Sequence, residues 1–296
     1  MRVTQGMLSN NMLRNLMNSQ NKMDKYFTQL YTGKKISRPS DDPVVAMKGI
    51  NHRTQVAEIE QYKRNIGETH TWMDNSDAAL DKATQAMHRL NELAVQANNG
   101  TYDEEEFISI KEEVKQLKEH LVDIANTNVN GKYIFNGTNT NEKPISMTNG
   151  EIDSIEYNTN PILIEVSKGT SIPVNVDGSK VFGQDFFDKL DNFIESLDAL
   201  GNDEVSDIDE SIEDINEMMN GIVNTRAELG ARMNRMELVE NRVKEQEIIA
   251  TKTMSDNENI DFEEAITNLI TQESLHRAAL SAGSRIIQPT LIDFLR

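Results

Sequence analysis

The stretch IEQYKRNIGETHTWMDNSDAALDKATQAMHRLNELAVQA, residues 59–97, decides the fold, because its apolar and small side chains recur at alternating steps of three and four. This spacing is typical of a helix that packs along one seam of a coiled coil. It predicts a single helix from about Pro43 to Asn99, on the order of 80 Å long. Such a helix needs long neighbours. Its seam positions are Ile59, Tyr62, Ile66, Thr69, Met73, Ser76, Leu80, Ala83, Met87, Leu90, Ala94 and Ala97.

Two further runs with the same spacing supply those neighbours. The first extends from Phe107 to Ile124, after a break in which Gly100 suits a helix C-cap. The second extends from Val205 to Met254, and charged side chains at its seam positions can fix the register: Arg226, Glu240 and Glu247. The three runs together predict a mainly α protein, an elongated helical bundle or coiled coil built from the N- and C-terminal segments.

Between the run that ends at Ile124 and the run that begins at Val205, the period of the apolar side chains changes to two residues, which is typical of strands. Tyr133-Ile134-Phe135 stands before the turn pair Asn136-Gly137, and two alternating segments, 162–166 and 172–176, flank Lys168-Gly169. Both patterns are typical of hairpins. The sequence therefore predicts a small β-rich insertion, followed by a short helix from about Phe186 to Leu200.

The two ends of the chain carry apolar stripes at helical spacing. No stretch of the sequence offers these stripes a partner beyond each other, so we expect them to pair and to meet other subunits through exposed apolar surface. We also expect both ends to be mobile in the monomer and ordered on assembly. The predicted assembly residues are Leu8, Met12, Leu16, Met23, Phe27, Leu30, Phe262, Ile266, Leu269, Leu275, Ala279 and Ile286.

These patterns divide the chain into five predicted segments. An N-terminal assembly helix and a C-terminal assembly helix enclose two halves of a helical rod, and the β-rich insertion separates the halves. In chain order the segments are 1–42, 43–131, 132–184, 185–259 and 260–296.

Charge and composition exclude several classes of function. The net charge of -19 argues against nucleic acid and anionic membranes as partners, although residues 1–40 hold seven Lys or Arg and one acid. The chain has no cysteine, so disulfides and thiolate sites are excluded. No apolar stretch approaches the roughly 20 residues of a membrane helix. No cleavable secretory signal opens the chain, so we expect any export to leave the N-terminus uncleaved.

The sequence predicts no catalytic, cofactor or metal site. None of the five histidines forms the four-residue pair that places two metal ligands on one helix face. No Ser, His and Asp set lies in a suitable strand-turn-helix context. The acidic run 185–217 fails as a calcium loop, because Ile212 and Met218 stand where Gly and Glu are needed. A solvated face or a chaperone contact explains this run better.

Three stretches carry a resemblance to a known family. Residues 30–43, LYTGKKISRPSDDP, resemble the conserved N-terminal stretch of the bacterial flagellin family, and residues 273–280 and 291–296 are similar to its C-terminus. Residues 131–138, GKYIFNGT, resemble the hook-associated branch of that family. In the first stretch Asp42 suits a helix N-cap and Pro43 the first helical position, while the adjacent Asp41 is also better explained by capping than by catalysis.

The resemblance implies a structural subunit that joins the flagellar hook to the filament. It implies export through the flagellar channel with a dedicated chaperone, and a location outside the cell at the hook-filament junction. The implied partners are other copies of the chain, the first hook-associated protein, flagellin, and the export chaperone and apparatus. Two alternatives stay open: a flagellin filament subunit and, more distantly, an intracellular coiled-coil scaffold. Pro289 is expected to interrupt the C-terminal helix.

Overall fold

The computed structural model describes residues 5–99, 104–148, 150–201 and 208–287, and within them the chain is mainly helical. Within the same ranges, short strands form three separate antiparallel hairpins. The predicted fold class, mainly α with a small β-containing insertion, is confirmed. The helices are α1 Gln5–Thr32, α2 Pro43–Ala97, α3 Glu104–Ala125, α4 Gln184–Gly201, α5 Ile208–Glu258 and α6 Phe262–Ile287. The strands are β1 Asn128–Val129, β2 Lys132–Tyr133, β3 Ile145–Thr148, β4 Glu151–Ile155, β5 Leu163–Ser167 and β6 Thr170–Pro173.

The chain forms two compact units. One unit, here called the core unit, comprises residues 59–245. The other, here called the terminal unit, comprises residues 1–58 together with 246–296. Both boundaries fall inside long helices, α2 and α5, and the five-segment division read from the sequence stays a prediction.

Within the core unit, α2 buries its predicted seam, in which only Tyr62 is half-buried. It also buries a second row of four side chains, spaced one heptad apart, so the single predicted seam describes most but not all of its packing. Side chains of α2 contact two neighbouring helices: Arg89 binds Glu113 of α3 at 2.6 Å, and Asn91 donates a hydrogen bond to Asn216 of α5 at 3.1 Å. The second row is Trp72, Ala79, Ala86 and Leu93.

The first part of α5 packs within the core unit with a seam that shifts along the helix. Met218 is buried where the strict heptad places Met219, and Val239 is buried as well. A straight helix of 3.6 residues per turn drifts against a 3.5-residue repeat, which explains the shift. The predicted start at Val205 lies outside the described residues, and α5 is described from Ile208.

Two of the charged seam positions of α5 find partners on α2. Arg226 binds Asp77 at 2.8 Å and Asp81 at 2.6 Å. Oε2 of Glu240 lies 3.0 Å from Nε2 of His70, within hydrogen-bond distance. These polar contacts join residues far apart in the chain, which is how charged seam positions specify a register.

The insertion confirms one predicted hairpin and corrects another. Strands β5 and β6 pair around Lys168-Gly169, as predicted. The hairpin near residue 130 turns at Asn130-Gly131, both with positive φ, and the prediction of a hairpin turn at Asn136-Gly137 is wrong. A Cβ on Gly137 would lie 2.0 Å from the carbonyl oxygen of Asn158. The glycine there permits a close backbone approach.

The same region holds a hairpin that the sequence pattern missed. Strands β3 and β4 pair with a bulge after Ser146, and polar residues interrupt their alternation. Ile134 and Phe135 are buried but lie outside any strand, where Phe135 packs edge-to-face on Phe182 at 5.5 Å. Aromatic side chains at the start of α4 extend this cluster, so the insertion has its own small core.

Candidate assembly site

Helices α1 and α6 of the terminal unit form an antiparallel pair. At one end, the Lys35 amide donates to the Glu258 carbonyl at 2.8 Å, and the Ile260 amide donates to the Gly33 carbonyl at 3.0 Å. These bonds hold the end of α1 beside the start of α6. At the other end, Met12 near the start of α1 contacts Gly283 near the end of α6. The pairing of the two termini thus agrees with the expectation from their stripes.

The two helices meet along one row of positions on each, here called the α1–α6 seam. These positions follow alternating steps of three and four residues, as in a coiled coil. Most are half-buried, and only Ala265 and Gly283 are fully buried. On α1 the seam is Ser9, Met12, Leu16, Ser19, Met23, Tyr26 and Leu30; on α6 it is Ala265, Leu269, Gln272, His276, Ala279 and Gly283.

Polar side chains weaken this seam. Five of its members carry a polar side-chain group, and two of these hold buried atoms that lack a hydrogen-bond partner: Oγ of Ser19 and Nδ1 of His276. A buried polar atom without a partner opposes folding. The α1–α6 seam therefore stabilises the pair less than an apolar heptad seam of the same length would.

The predicted assembly residues divide between the seam and the solvent. Six of them lie in the seam: Met12, Leu16, Met23, Leu30, Leu269 and Ala279. Five are exposed: Leu8, Phe27, Phe262, Ile266 and Leu275. Ile286 belongs to α6, but its side chain lies outside those described. The prediction that both ends become ordered only on assembly stays a prediction, as does the role of these residues.

Further exposed apolar side chains, which the stripes missed, complete one side of the pair. Met17 is 66% exposed and Tyr31 is 93% exposed. Two groups of exposed apolar side chains, one on α1 and one on α6, are rotated away from the seam in the same sense. In an antiparallel pair, this rotation places both groups on the same side. We call this side the apolar flank: Leu13, Met17, Phe27 and Tyr31 on α1, and Phe262, Ile266, Ile270 and Leu280 on α6.

Asp41 and Asp42, just before the start of α2, each accept hydrogen bonds from backbone amides, but from different ones. Asp42 accepts hydrogen bonds from the amides of Val44 and Val45 at 3.0 and 3.1 Å, which caps α2, and Pro43 is the first residue of that helix. Asp41 accepts from the amides of Ser37 and Arg38 instead. The bonds from these two backbone amides, Arg38 first, lower the pKa of the Asp41 carboxyl.

Glu258, which sequence patterns did not single out, ties three segments of the terminal unit together. Its carboxylate binds Arg53 of α2 through two hydrogen bonds, at 2.6 and 2.8 Å, and Lys34 at 3.1 Å. Only 7% of the Glu258 side chain is exposed. The bonds from Arg53, and then those from Lys34, hold the pKa of Glu258 below its usual value, although desolvation opposes them. A carboxylate among polar neighbours offers no periodic signal, so the sequence could not reveal it.

The described residues offer neither a cluster of metal-binding side chains nor a membrane-spanning helix. Within those ranges, no group of three or more metal-binding side chains is placed to hold an ion. None of the described helices has both the length and the apolar content needed to cross a membrane.

Comparison with known families identifies the class of protein. The model of the bacterial flagellin N-terminal helical region matches residues 3–140, and that of the bacterial flagellin C-terminal helical region matches residues 212–295. Between them they cover the helices that form the terminal unit and most of the core unit's helical framework. The chain belongs to the bacterial flagellin family, as the sequence resemblance predicted.

Within that family the full-length similarity is to flagellar hook-associated protein 3. The protein of that name from Escherichia coli K12 is 27% identical over 303 aligned residues, which cover 94% of each chain. Its counterpart from Salmonella typhimurium LT2 is 22% identical and covers 94% of this chain and 95% of its own. The structure of a flagellar hook-associated protein from Vibrio parahaemolyticus has the same fold, with a TM-score of 0.67 at 20% identity. It covers 74% of this chain and all of that one.

Proposed function

We propose that the chain is a structural subunit that joins the flagellar hook to the filament, and that it performs no catalysis. The full-length similarity to hook-associated protein 3 supports this role, since relatives of that name match 94% of the chain. The chain's membership of the flagellin family favours this function over the alternative of an intracellular coiled-coil scaffold.

The α1–α6 pair is the proposed assembly surface, and the observation that carries this proposal is the apolar flank. Large apolar side chains in water cost free energy, and contiguous ones mark sites of protein association. The seam keeps the two helices side by side, and the flank then offers Leu13, Met17, Ile266 and Ile270 to neighbouring subunits. Burial of such side chains yields about 25 cal/mol for each Å² removed from water.

The partners proposed for this surface follow from the same function. They are other copies of the chain, the first hook-associated protein and flagellin. Before assembly the chain would pass through the flagellar export apparatus with a chaperone, without a cleaved signal peptide, and would come to lie outside the cell at the hook-filament junction.

Deletion of the gene tests the role, and one substitution tests the surface. The deletant should make hooks without filaments and release flagellin into the medium. Ile266→Asp should fail to restore filaments, because an unpaired carboxylate at an interface costs several kcal/mol. Ile266 is 47% exposed, so the variant should keep its own fold. Filaments counted by electron microscopy, and far-UV circular dichroism of the purified variant, measure the two effects.

The matched control is Thr267→Asp, on the exposed polar side of the same turn. It adds the same charge away from the apolar flank and should restore filaments. Leu16→Asp, in the seam, should also abolish filaments, but by separating α1 from α6. Normal filaments in the deletant would refute the junction role, and normal filaments with Ile266→Asp would show that the apolar flank is not the assembly surface.

A further inference from the structure

Gly283 is a buried glycine of α6, and the side chain of Met12 occupies the space where a side chain on residue 283 would stand. A Cβ built on Gly283 would lie 1.4 Å from Cε and 2.6 Å from Sδ of Met12. Real atoms cannot approach so closely. The end of the Met12 side chain therefore sits against the α6 backbone, as a knob sits in a hole.

This fit is specific to one position. A Cβ added at Gly67 of α2, or at Gly221 or Gly230 of α5, meets nothing within 4 Å, so these helical glycines leave open space. Every other α6 seam position carries a Cβ. If the helices slipped by one heptad, Met12 would meet His276 in place of Gly283. Glycine is a poor helix former, which makes a buried one in α6 costly unless its lack of a side chain is used.

The rest of the seam specifies its register only weakly. Ser9, Ser19, Gln272 and His276 are polar, and a heptad seam is positioned chiefly by its apolar knobs. A slip of α1 along α6 would change which side chains of the two helices stand together on the apolar flank. A contact that fixes the register of the two helices therefore has a large effect on this pair.

We infer that Met12 and Gly283 form a knob-in-hole contact that sets the register of α1 against α6. It thereby determines which apolar side chains the pair presents together. The first step of this inference concerns the folded chain alone; the second rests on the proposed assembly function. Met12 and Gly283 are thus positioning residues for the surface described above.

The absence of cysteine from the chain permits a clean test of the register. Ser19 lies one heptad after Met12, and His276 lies one heptad before Gly283, so in the antiparallel pair they stand at the same level. The double variant Ser19→Cys, His276→Cys should form an intramolecular disulfide when the purified full-length protein is oxidised. A non-reducing gel measures its yield. This variant also removes the two polar groups that lack partners.

Three further changes are then made in the double-cysteine chain. Gly283→Leu should lower the initial rate of disulfide formation roughly tenfold, because an overpacked seam shifts or separates the helices. Adding Met12→Ala to Gly283→Leu should restore most of that rate, since the leucine then fills the space that methionine leaves. The matched control Ala282→Leu adds the same side chain at an exposed neighbouring position and should have no effect.

Failure of the parent double-cysteine chain to crosslink would overturn the inference, as would an unchanged rate with Gly283→Leu. Loss of the disulfide that Met12→Ala cannot restore would also overturn it, because the damage would then come from loss of helix α6 and not from this contact. Filament restoration by the cysteine-free Gly283→Leu variant is a separate readout. If its disulfide test shows the loss and the rescue while filaments form normally, the register step stands and the proposed assembly surface fails.

Discussion

The core unit buries its apolar side chains, whereas the terminal unit leaves many of its own exposed to solvent. Among the described residues, the buried apolar side chains of the terminal unit are Ala250 and Ala265, and all the others belong to the core unit. The exposed large apolar side chains lie mostly in the terminal unit; those in the core unit are Val95, Ile108, Leu163, Val223 and Leu238.

Charge divides the two units in the same way. Residues 1–58 and 246–296 together hold thirteen Lys or Arg and twelve Asp or Glu, a net charge of +1, so residues 59–245 carry -20, against -19 for the whole chain. Like charge opposes association, and a unit close to neutral lacks that opposition. The core unit buries its apolar side chains and carries the repulsive charge, whereas the terminal unit carries the exposed apolar surface proposed above for association with other chains.

Removing a core side chain should give the largest difference between the units. Leu80 is fully buried in the core unit, and Leu80→Ala should lower the free energy of unfolding of that unit by about 3 kcal/mol, through lost burial and a cavity. Ile270 of the apolar flank is 57% exposed, and Ile270→Ala should change the stability by less than about 0.5 kcal/mol. Chemical denaturation followed by circular dichroism measures both.

In an assembly assay at a temperature where both variants are folded, the order should reverse, because Ile270→Ala removes part of the apolar flank. Leu80→Ala should assemble as the parent chain does, because its surface is unchanged. An Ile270→Ala variant that loses as much stability as Leu80→Ala would mean that α6 is packed like the core, and the contrast between the units would be wrong.

The terminal unit should depend more on polar contacts, and Glu258 is the clearest case. Glu258→Gln removes the charge that Arg53 and Lys34 share, and it should destabilise the terminal unit by about 2 kcal/mol. The cost is below that of a fully buried pair because both cations are partly exposed. Hydrogen exchange at the end of α5 measures the loss, and the exposed Glu264→Gln serves as control.

The pH dependence follows from the lowered pKa of Glu258. A carboxyl whose pKa falls on folding adds stability above its unfolded pKa, and this stability disappears as the pH falls through the folded value. The parent chain should therefore approach the Glu258→Gln variant in acid and exceed it at neutral pH. A constant difference between the two over the acid range would show that the carboxylate charge is not what stabilises this contact.

Sequence periodicity predicted the helices well and the insertion poorly. The seam of α2 was found because apolar side chains repeat over many turns, and a long repeat averages out local exceptions. The second buried row of α2, with Trp72 and Leu93, lies outside the single seam that the spacing predicts, because this helix packs against more than one neighbour. The β3–β4 hairpin was missed because its strands are short and polar. Asn-Gly occurs three times between residues 130 and 150, so this pair alone could not single out the hairpin turns.

In the terminal unit, the stripes predicted the pairing of α1 with α6 but could not separate the seam from the flank. Leu16 and Ile266 belong to similar stripes, yet one is half-buried and the other exposed, because the rotation of each helix depends on its partner. Glu258 and Gly283 act through residues distant in the sequence, Arg53 and Met12. Neither contact leaves a local pattern.

The smallest predicted effect is at the start of α2, where the terminal unit relies on a helix cap. Asp42→Ala removes the acceptor of the Val44 and Val45 amides and should cost about 1 kcal/mol locally. Hydrogen exchange at Val45 should accelerate about fivefold, while amides in the middle of α2 keep their protection, because the core unit holds them. The adjacent Ser40→Ala is the control and should leave exchange unchanged. If Asp42→Ala also exposed amides around Leu80, the start of α2 and the core would unfold together, and the two units would not be independent in stability.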